Sequence, residues 1–262
     1  MSGSATPSLP SPLPFADKVT RIATDEPFRW LAAGWRDFRA AALVGLPYGL
    51  VFVVSGVLLT FGLERAGLVY LIAPLIAGFM LVAPALTVGF YAISQDLEAG
   101  TRPSFARALL AWRRNPGALI GLGLMQVLFL VVWMRFAVLI FALCFPSTSL
   151  DTQALLNAAL FTQDGQTFLA VGSVVGAGMA TIAFAFGAFS LPLLLDRRIG
   201  LLEAVVTSAV AVVLNARAMA VWAGLIVLFT AAGLALGYVG LVVTLPLVGH
   251  ATWHAYRAVL RG

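Results

Sequence analysis

The chain is poor in the residues that carry out chemistry. Only 10% of its 262 residues are charged, and it contains one cysteine and two histidines. The single cysteine, Cys144, excludes an internal disulfide. Two histidines are too few for a metal centre held by this chain alone, since zinc and iron require further ligands. No stretch carries a specific catalytic, nucleotide-binding or metal-binding motif, so we predict that the protein is not an enzyme and holds no cofactor by itself.

Apolar residues dominate the composition instead. They make up 61% of the chain, and the mean hydropathy is +0.99, whereas soluble domains have about 25% charged residues. A helical crossing of a bilayer needs about 20 mainly apolar residues, and the alternating pattern of a membrane barrel is absent. We therefore predict an all-α membrane protein with six crossings, at residues 41–63, 68–94, 117–145, 167–195, 218–236 and 239–256.

The N-terminal residues 1–16 are rich in serine and proline, which predicts a disordered tail ahead of a single membrane domain at 17–262. A cleavable signal would need an apolar stretch close to the first methionine. None appears until about Ala40, after five basic residues. We therefore expect the first crossing to be retained as an anchor.

The basic residues predict which side of the membrane each connecting segment faces. All 16 lysines and arginines except Arg65 and Arg135 lie before the first crossing, after the second and fourth, or after the sixth. Because such residues are enriched on the cytoplasmic side, both termini are predicted to be cytoplasmic. The excess positive charge is explained by this orientation and by attraction to anionic lipid headgroups, so no nucleic-acid partner is expected.

The segments between crossings resemble one another. A shift of 100 residues and a weaker shift of 77 residues superpose identical residues, which predicts two or three parallel units near 25–95, 101–195 and 201–257. Each unit would be a short helix lying at the membrane interface, followed by two crossings. The superposed pairs are Asp96 and Asp196, Gly100 and Gly200, Asn115 and Asn215, Phe28 and Phe105, and Trp35 and Trp112.

We interpret these repeated positions as structural. Gly100 and Gly200 are placed where a helix would end on a left-handed residue. Asn115, which Pro116 follows, has the pattern of a helix N-cap. Apolar residues recur at helical spacing in 104–114 and in 27–39, which is typical of helices that lie in the interface.

The two histidines, His250 and His254, are four residues apart and share one helix face near the predicted cytoplasmic end. The simpler interpretation puts both imidazoles at the headgroup level, in an aromatic belt with Trp253 and Tyr256. The alternative is a haem or metal site that a partner subunit completes.

Arg135 is the one basic residue inside an apolar run, and such a residue is a functional hypothesis by default. At 1.5 Å per residue it lies about 27 Å from the start of its crossing, close to the outer interface. We predict that it reaches the headgroups or forms an ion pair with Glu64, Asp151 or Asp164 on the outer side. The alternative is a contact with a transported anion.

The string Gly-His-Ala-Thr-Trp-His-Ala-Tyr-Arg at 249–257, together with the repeated Asp, Gly and Asn positions, resembles an uncharacterised family of bacterial six-span membrane proteins, catalogued as domain of unknown function 2189. The resemblance implies a location in the inner membrane. Some members carry the label cytochrome c oxidase subunit I, which implies a respiratory link. That label does not describe this chain literally, because such a subunit uses about six histidines on several helices.

Two functions are consistent with these features. The first is a non-enzymatic inner-membrane protein that associates laterally with other membrane subunits, such as an accessory or assembly component of a respiratory complex. It is favoured by the small-residue pairs Gly172 with Gly176 and Gly233 with Gly237. The second is a transporter, or a protein that handles lipids or small hydrophobic molecules.

Overall fold

The structure is a computed structural model that describes residues 13–76, 78–79, 87–145 and 152–260. The described part of the chain is 83% helical and has no strand apart from a single bridge between Val19 and Leu260. The prediction of an all-helical fold is confirmed. The predicted serine-rich and proline-rich tail lies mostly outside the described residues.

The helices follow one another closely along the chain. They are α1 Glu26–Ala40, α2 Ala42–Arg65, α3 Val88–Glu98, α4 Phe105–Leu109, α5 Pro116–Cys144, α6 Thr152–Phe161, α7 Gln163–Gly187, α8 Ser190–Asp196, α9 Leu201–Leu214, α10 Ala216–Ala235 and α11 Leu241–Val259. Residues 72–76 and 78–79 are also helical. Three short 3-10 helices cover Ala16–Lys18, Val69–Leu71 and Ala111–Arg114.

Four helical segments of the described part are long and apolar enough to cross a membrane. They are Ala42–Arg65, Pro116–Cys144, Gln163–Asp196 and Ala216–Ala235, and they coincide with the first, third, fourth and fifth predicted crossings. The second predicted crossing includes residues outside the described ranges. The sixth is helix α11, which is less apolar because it contains His250, His254 and Arg257. Six crossings therefore stay a prediction.

Helix α11 forms the centre of the bundle. Thirteen of its 19 residues are buried, and it packs against α1, α2, α3 and α10. A Cβ atom built on Gly34 of α1 would lie 2.6 Å from the backbone nitrogen of Ala251, and one built on Gly49 of α2 would lie 3.0 Å from the Val242 carbonyl oxygen. Since its neighbours are other helices, α11 tolerates polar side chains that lipid would not.

Helices α3 and α8 join α11 in the interior, whereas α5 and α7 are peripheral. Six of the seven residues of α8 are buried, and Phe90 and Ile93 of α3 are fully buried. In the most apolar window of Pro116–Cys144 only 11% of the residues are buried, and in that of Gln163–Asp196 none are. The bundle thus has an inner group and an outer group of helices.

Helix α1 has apolar residues on two sides. Trp30 and Phe38 are buried, and Trp30 meets the ring of Trp222 edge-on at 5.7 Å. Phe28 and Trp35 are 58% and 42% exposed. The predicted apolar face is therefore divided, because α1 packs on α11 with one side and leaves aromatic rings for the membrane interface on the other.

The repeated glycines have different backbone conformations. Gly100 has φ 67°, the left-handed conformation that ends many helices. Gly200 has φ −77° and ψ 159° and comes directly before α9, so the prediction of a left-handed stop at Gly200 is wrong. An extended residue is usual at the start of a helix.

The repeated asparagines stand at the N-cap positions of α5 and α10, but their side chains form no capping hydrogen bond and instead connect segments that are distant in sequence. The Asn115 side chain donates to the carbonyl oxygens of Leu194 and Ile199. The Asn215 side chain donates to the Thr20 carbonyl oxygen at 3.1 Å and accepts from the Ile22 amide at 3.0 Å. The predicted N-cap position of Asn115, directly before Pro116, is therefore confirmed, but its side chain joins distant segments instead of capping the helix.

Candidate functional site

Four polar side chains meet in the interior, and we call them the imidazole cluster: Asp37 of α1, Ser94 of α3, and His250 and His254 of α11. The Ser94 hydroxyl donates to Asp37 Oδ2 at 2.7 Å and lies 2.8 Å from His250 Nδ1. His254 Nε2 lies 2.8 Å from the same Asp37 oxygen. The two histidines thus share one carboxylate, although only His254 contacts it directly.

The hydrogen-bond pattern determines where the protons are. The Ser94 hydroxyl has one hydrogen, which it donates to Asp37, so it accepts from Nδ1–H of His250. His250 Nε2 then carries a lone pair, and it is fully buried with no hydrogen-bond partner in the described part of the chain. A carboxylate only accepts, so His254 donates to Asp37 through Nε2–H.

The location of the histidines corrects the interpretation as headgroup-level side chains. His250 is 0% exposed, and Trp253 and Tyr256 are buried as well. Only His254 is partly exposed, with 30% of its side chain accessible. The sequence pattern placed both imidazoles on one face correctly, but it did not show that α1 and α3 cover this face.

Asp37 and Ser94 are the site residues that sequence reasoning missed. Asp37 is an isolated acidic residue near the end of α1, and Ser94 is a small polar residue in an apolar run. Neither has a spacing that relates it to the histidines, because they are 217 and 156 residues away along the chain. The signal is weak in each case: a polar residue on a helix side that is otherwise apolar.

The cluster does not have the geometry of a hydrolase or a metal centre. In a catalytic triad the serine donates to histidine, whereas Ser94 donates to Asp37 and is itself buried. No group of three or more His, Cys, Asp or Glu residues suited to a metal ion occurs among the residues that the structure describes. The arrangement is chemically suited to holding and passing a proton.

A second polar group joins the ends of α3, α8 and α11. Asp196 accepts from the Tyr256 hydroxyl at 2.6 Å and from the Gln95 amide at 3.0 Å. Glu98 accepts from the Trp253 indole at 3.0 Å and pairs with Arg257 at 3.1 Å. Because each contact links two inner helices, this group holds their ends together.

The two repeated aspartates therefore have different partners. Asp96 is buried and pairs with Arg107, on the helix that follows it, at 3.3 Å. Asp196 instead receives hydrogen bonds from α3 and α11. Asp96 thus forms an ion pair with a helix close to it in sequence, whereas Asp196 connects helices that are distant in sequence.

Residues 71–196 match the model of a family described as "Predicted integral membrane protein (DUF2189)". Over this segment the chain is similar to that family. No curated protein and no solved structure is significantly similar to the chain. The predicted family is confirmed, and the chain is an integral membrane protein with several membrane-spanning helices.

The DUF2189 segment contains Ser94, Asp96 and Asp196, but it ends before α11 and starts after α1. Asp37, His250 and His254 therefore lie outside the matched residues. The terminal string that suggested the resemblance also lies outside them. The imidazole cluster is thus assembled from one residue within the family segment and three residues beyond it.

Arg135 lies on the exposed surface of α5. Together with Met134, Val138, Leu139 and Ala142 it lines a shallow depression. No ion pair joins Arg135 to Glu64 or Asp164 within the described ranges, and Asp151 lies outside them. The predicted pair with Glu64 is thus absent from the described part.

An apolar cavity of about 150 Å³ lies between α2, the helical residues 72–76 and 78–79, α5 and the turn before α11. Phe52, Leu59 and Leu130 contribute to its lining. Its polar pair is Thr60 and Tyr238, whose hydroxyls are 2.9 Å apart. Tyr238 has φ 70°, which is uncommon for a residue with a side chain.

The pKa of Asp37 is lowered from its ordinary value of 3.8. Burial, the largest single influence, favours the neutral acid and opposes this shift. Hydrogen bonds from His254 and Ser94, together with the electrostatic influence of the nearby His254 and His250 side chains, favour the carboxylate more strongly in sum. The carboxylate is therefore the resting form of Asp37 at neutral pH.

We expect Asp37 to make folding stability depend on pH in the acidic range. A carboxyl group with a depressed folded-state pKa stabilises the fold above its unfolded-state pKa of about 4. This stabilisation is lost as the pH falls through the folded-state pKa. Thermal unfolding of wild type and Asp37→Asn between neutral and acidic pH measures it, and the acid-induced fall in unfolding temperature should be smaller in Asp37→Asn. Asp25→Asn, at an exposed position, is the control and should behave as wild type.

Proposed function

We propose that the chain is a non-enzymatic inner-membrane protein that associates laterally with another membrane subunit. The observation that carries this proposal is the exposure of Gln163–Asp196, whose most apolar window has no residue buried within the chain. In lipid, helices associate through close packing rather than through the hydrophobic effect. A crossing with so little packing in its own bundle has a side free for a partner.

The exposed surface of α7 includes small residues with open space around them. A Cβ atom built on Gly172 or Gly178 would meet no atom within 4 Å. The hydroxyls of Thr167 and Thr181 bond to carbonyl oxygens of their own helix, at Gln163 and Ala177, so neither needs an outside partner. Small residues and satisfied hydroxyls allow the backbone of another helix to approach closely.

Arg135 supports the same proposal from the neighbouring helix. α5 and α7 pack together, and a Cβ atom on Gly176 would lie 3.1 Å from the ring of Trp133. Arg135 is two residues from that contact and is exposed. A charged side chain on the outside of a membrane helix is expensive unless it finds a counter-charge or the headgroup region. An acidic group of the partner would supply the counter-charge.

The location of the protein in the inner membrane, with both termini in the cytoplasm, is part of the same proposal. The distribution of arginines supports cytoplasmic termini and contact with anionic headgroups. The respiratory role, as an accessory or assembly component, rests on the label that some relatives carry. The internal repeats are likewise proposed from the superposed residues alone.

Purification of the chain from its native membrane in mild detergent, followed by mass spectrometry, tests the lateral association. We expect a stoichiometric membrane partner to accompany the wild-type chain. Gly172→Leu adds a bulky side chain to the open face of α7 and should reduce recovery of that partner severalfold. Gly224→Leu makes the same change at an open, exposed position of α10 and should leave recovery unchanged. A wild-type chain purified alone, or equal losses in both variants, would contradict the proposal.

The alternative function, handling of lipids or small hydrophobic molecules, is favoured by the apolar cavity beside Thr60 and Tyr238. An apolar cavity of about this size accommodates a benzene-sized molecule. Arg135 does not line this cavity, so the transport of an anion through contact with Arg135 receives no support from the geometry. Lipids that co-purify with wild type and are lost in Leu59→Trp would favour this alternative.

A further inference from the structure

We propose that the imidazole cluster is a proton-transfer site, in which a chain of hydrogen bonds carries one proton between the buried Nε2 of His250 and the carboxylate of Asp37. His250 is the middle residue of α11. Asp37 and His254 lie at the partly exposed end of the cluster, with 16% and 30% of their side chains accessible. The chain therefore connects the interior of the bundle with its surface.

The distances allow transfer at each step. His250 Nδ1 is 2.8 Å from Ser94 Oγ, and Ser94 Oγ is 2.7 Å from Asp37 Oδ2, both within hydrogen-bond range. All donors point in one direction, from His250 through Ser94 to Asp37. Such an arrangement requires no rotation of a side chain before a proton moves.

The proton balance of the transfer is simple. A proton from water binds the lone pair of His250 Nε2, and the imidazole becomes cationic. The proton on Nδ1 then moves to Ser94 Oγ while the hydroxyl proton of Ser94 moves to Asp37 Oδ2. His250 is left neutral with its proton on Nε2, and Asp37 becomes a neutral acid. The reverse transfer restores the first arrangement: the proton of Asp37 moves to Ser94, the hydroxyl proton of Ser94 moves to His250 Nδ1, and the proton on Nε2 returns to water.

The surroundings favour this route over others. The charged groups that act on Asp37 are His254 and His250, and those that act on His250 are Asp37 and His254. The ring of Phe90 lies 5.6 Å from that of His250. A Cβ atom built on Gly45 of α2 would lie 3.9 Å from His250 Nε2. The backbone carbonyl of Phe90 also interacts with the His250 ring. A carbonyl oxygen accepts a hydrogen bond but has no proton to pass on, so Ser94 is the route by which a proton leaves His250.

His254 is a positioning residue in this site. Its Nε2–H donates to the oxygen that also accepts from Ser94. This second hydrogen bond keeps Asp37 ionised and therefore ready to receive a proton. The hydrogen bond between His254 and Asp37 also holds α1 against α11, because Asp37 belongs to α1 and His254 belongs to α11.

The test measures exchange of the His250 ring proton with water. The full chain is labelled with ¹⁵N-histidine and placed in lipid nanodiscs, and magnetic resonance resolves the two histidines. Assignment uses His254→Gln. We expect the His250 signal of a neutral ring with its proton on Nδ1. In Ser94→Ala the chain of hydrogen bonds is broken, and exchange at Nδ1 should be severalfold slower than in wild type.

The direction of the change separates the proposal from a structural role. If Ser94 only stabilised the packing, its loss would make local opening easier and exchange faster. Faster or unchanged exchange in Ser94→Ala would overturn the proposal. Asp37→Asn, which keeps the shape but removes the proton acceptor, should also slow exchange, and it provides the test if Ser94→Ala does not fold.

Gly45 offers a matched pair of variants at the other end of the chain. Gly45→Ser places a hydroxyl beside His250 Nε2, where it can donate to the lone pair and compete with the incoming proton. Gly45→Ala adds a methyl group at ordinary contact distance. We expect slower exchange in Gly45→Ser than in Gly45→Ala. Equal rates in the two variants would contradict entry of the proton at Nε2.

Discussion

Trp253→Ala should lower the free energy of unfolding by about 3–5 kcal/mol, the range for removal of a buried tryptophan from a well-packed core. Trp253 is buried at the centre of the bundle and its ring lies 5.4 Å from that of Tyr256. Its indole nitrogen donates to Glu98 at 3.0 Å. The substitution leaves a cavity in α11 and removes a link between α11 and α3.

Unfolding in mixtures of mild detergent and sodium dodecyl sulfate, followed by circular dichroism, measures this effect. Trp35→Ala is the matched control because Trp35 is 42% exposed. It should change the free energy of unfolding by less than about 1 kcal/mol. If the two variants were equally stable, α11 would not be the centre of the packed bundle.

Gly34→Leu should separate α1 from α11. A Cβ atom at position 34 would lie 2.6 Å from the backbone nitrogen of Ala251 and 2.9 Å from its Cα atom. Backbone atoms cannot move aside as the end of a side chain can, so the helices must shift. We expect a loss of about 3 kcal/mol for Gly34→Leu and of about 1–2 kcal/mol for Gly34→Ala.

The same unfolding experiment tests the substitution of Gly34. Gly123→Leu is the control, since a Cβ atom there would meet nothing within 4 Å. Alanine or leucine in place of a glycine that has space around it raises helix propensity, so the control should be neutral or slightly stabilising. A stable Gly34→Leu variant would show that α1 is not in close contact with α11. Its histidine signals would then report whether Asp37 still reaches His254.

The helices that cross the membrane could be predicted because the requirement is local. About 20 apolar residues in sequence are enough to indicate a crossing, and four of the predicted crossings correspond to long apolar helices of the described part. The family assignment also followed from the sequence. The first residues of α5 and α10 were also predictable: α5 begins at Pro116, and α10 begins directly after Asn215.

The imidazole cluster could be predicted only in part. The spacing of four between His250 and His254 was enough to place both side chains on one face of a helix. The covering of that face by α1 and α3 could not be read from periodicity, because Phe28 and Trp35 are as apolar as Trp30 and Phe38. An apolar residue is equally suited to lipid and to a protein neighbour.

The sequence alone determined that this protein is helical and lies in a membrane, because hydropathy over about 20 residues decides whether lipid is the solvent. Only the tertiary structure decided that α11 is central and that α1 approaches it closely at Gly34. It also decided that Asp37 and Ser94 join the two histidines. The physical reason is the distance along the chain over which each interaction acts. Solvation acts on each segment separately, whereas a hydrogen bond between residues 217 positions apart exists only after the helices have packed.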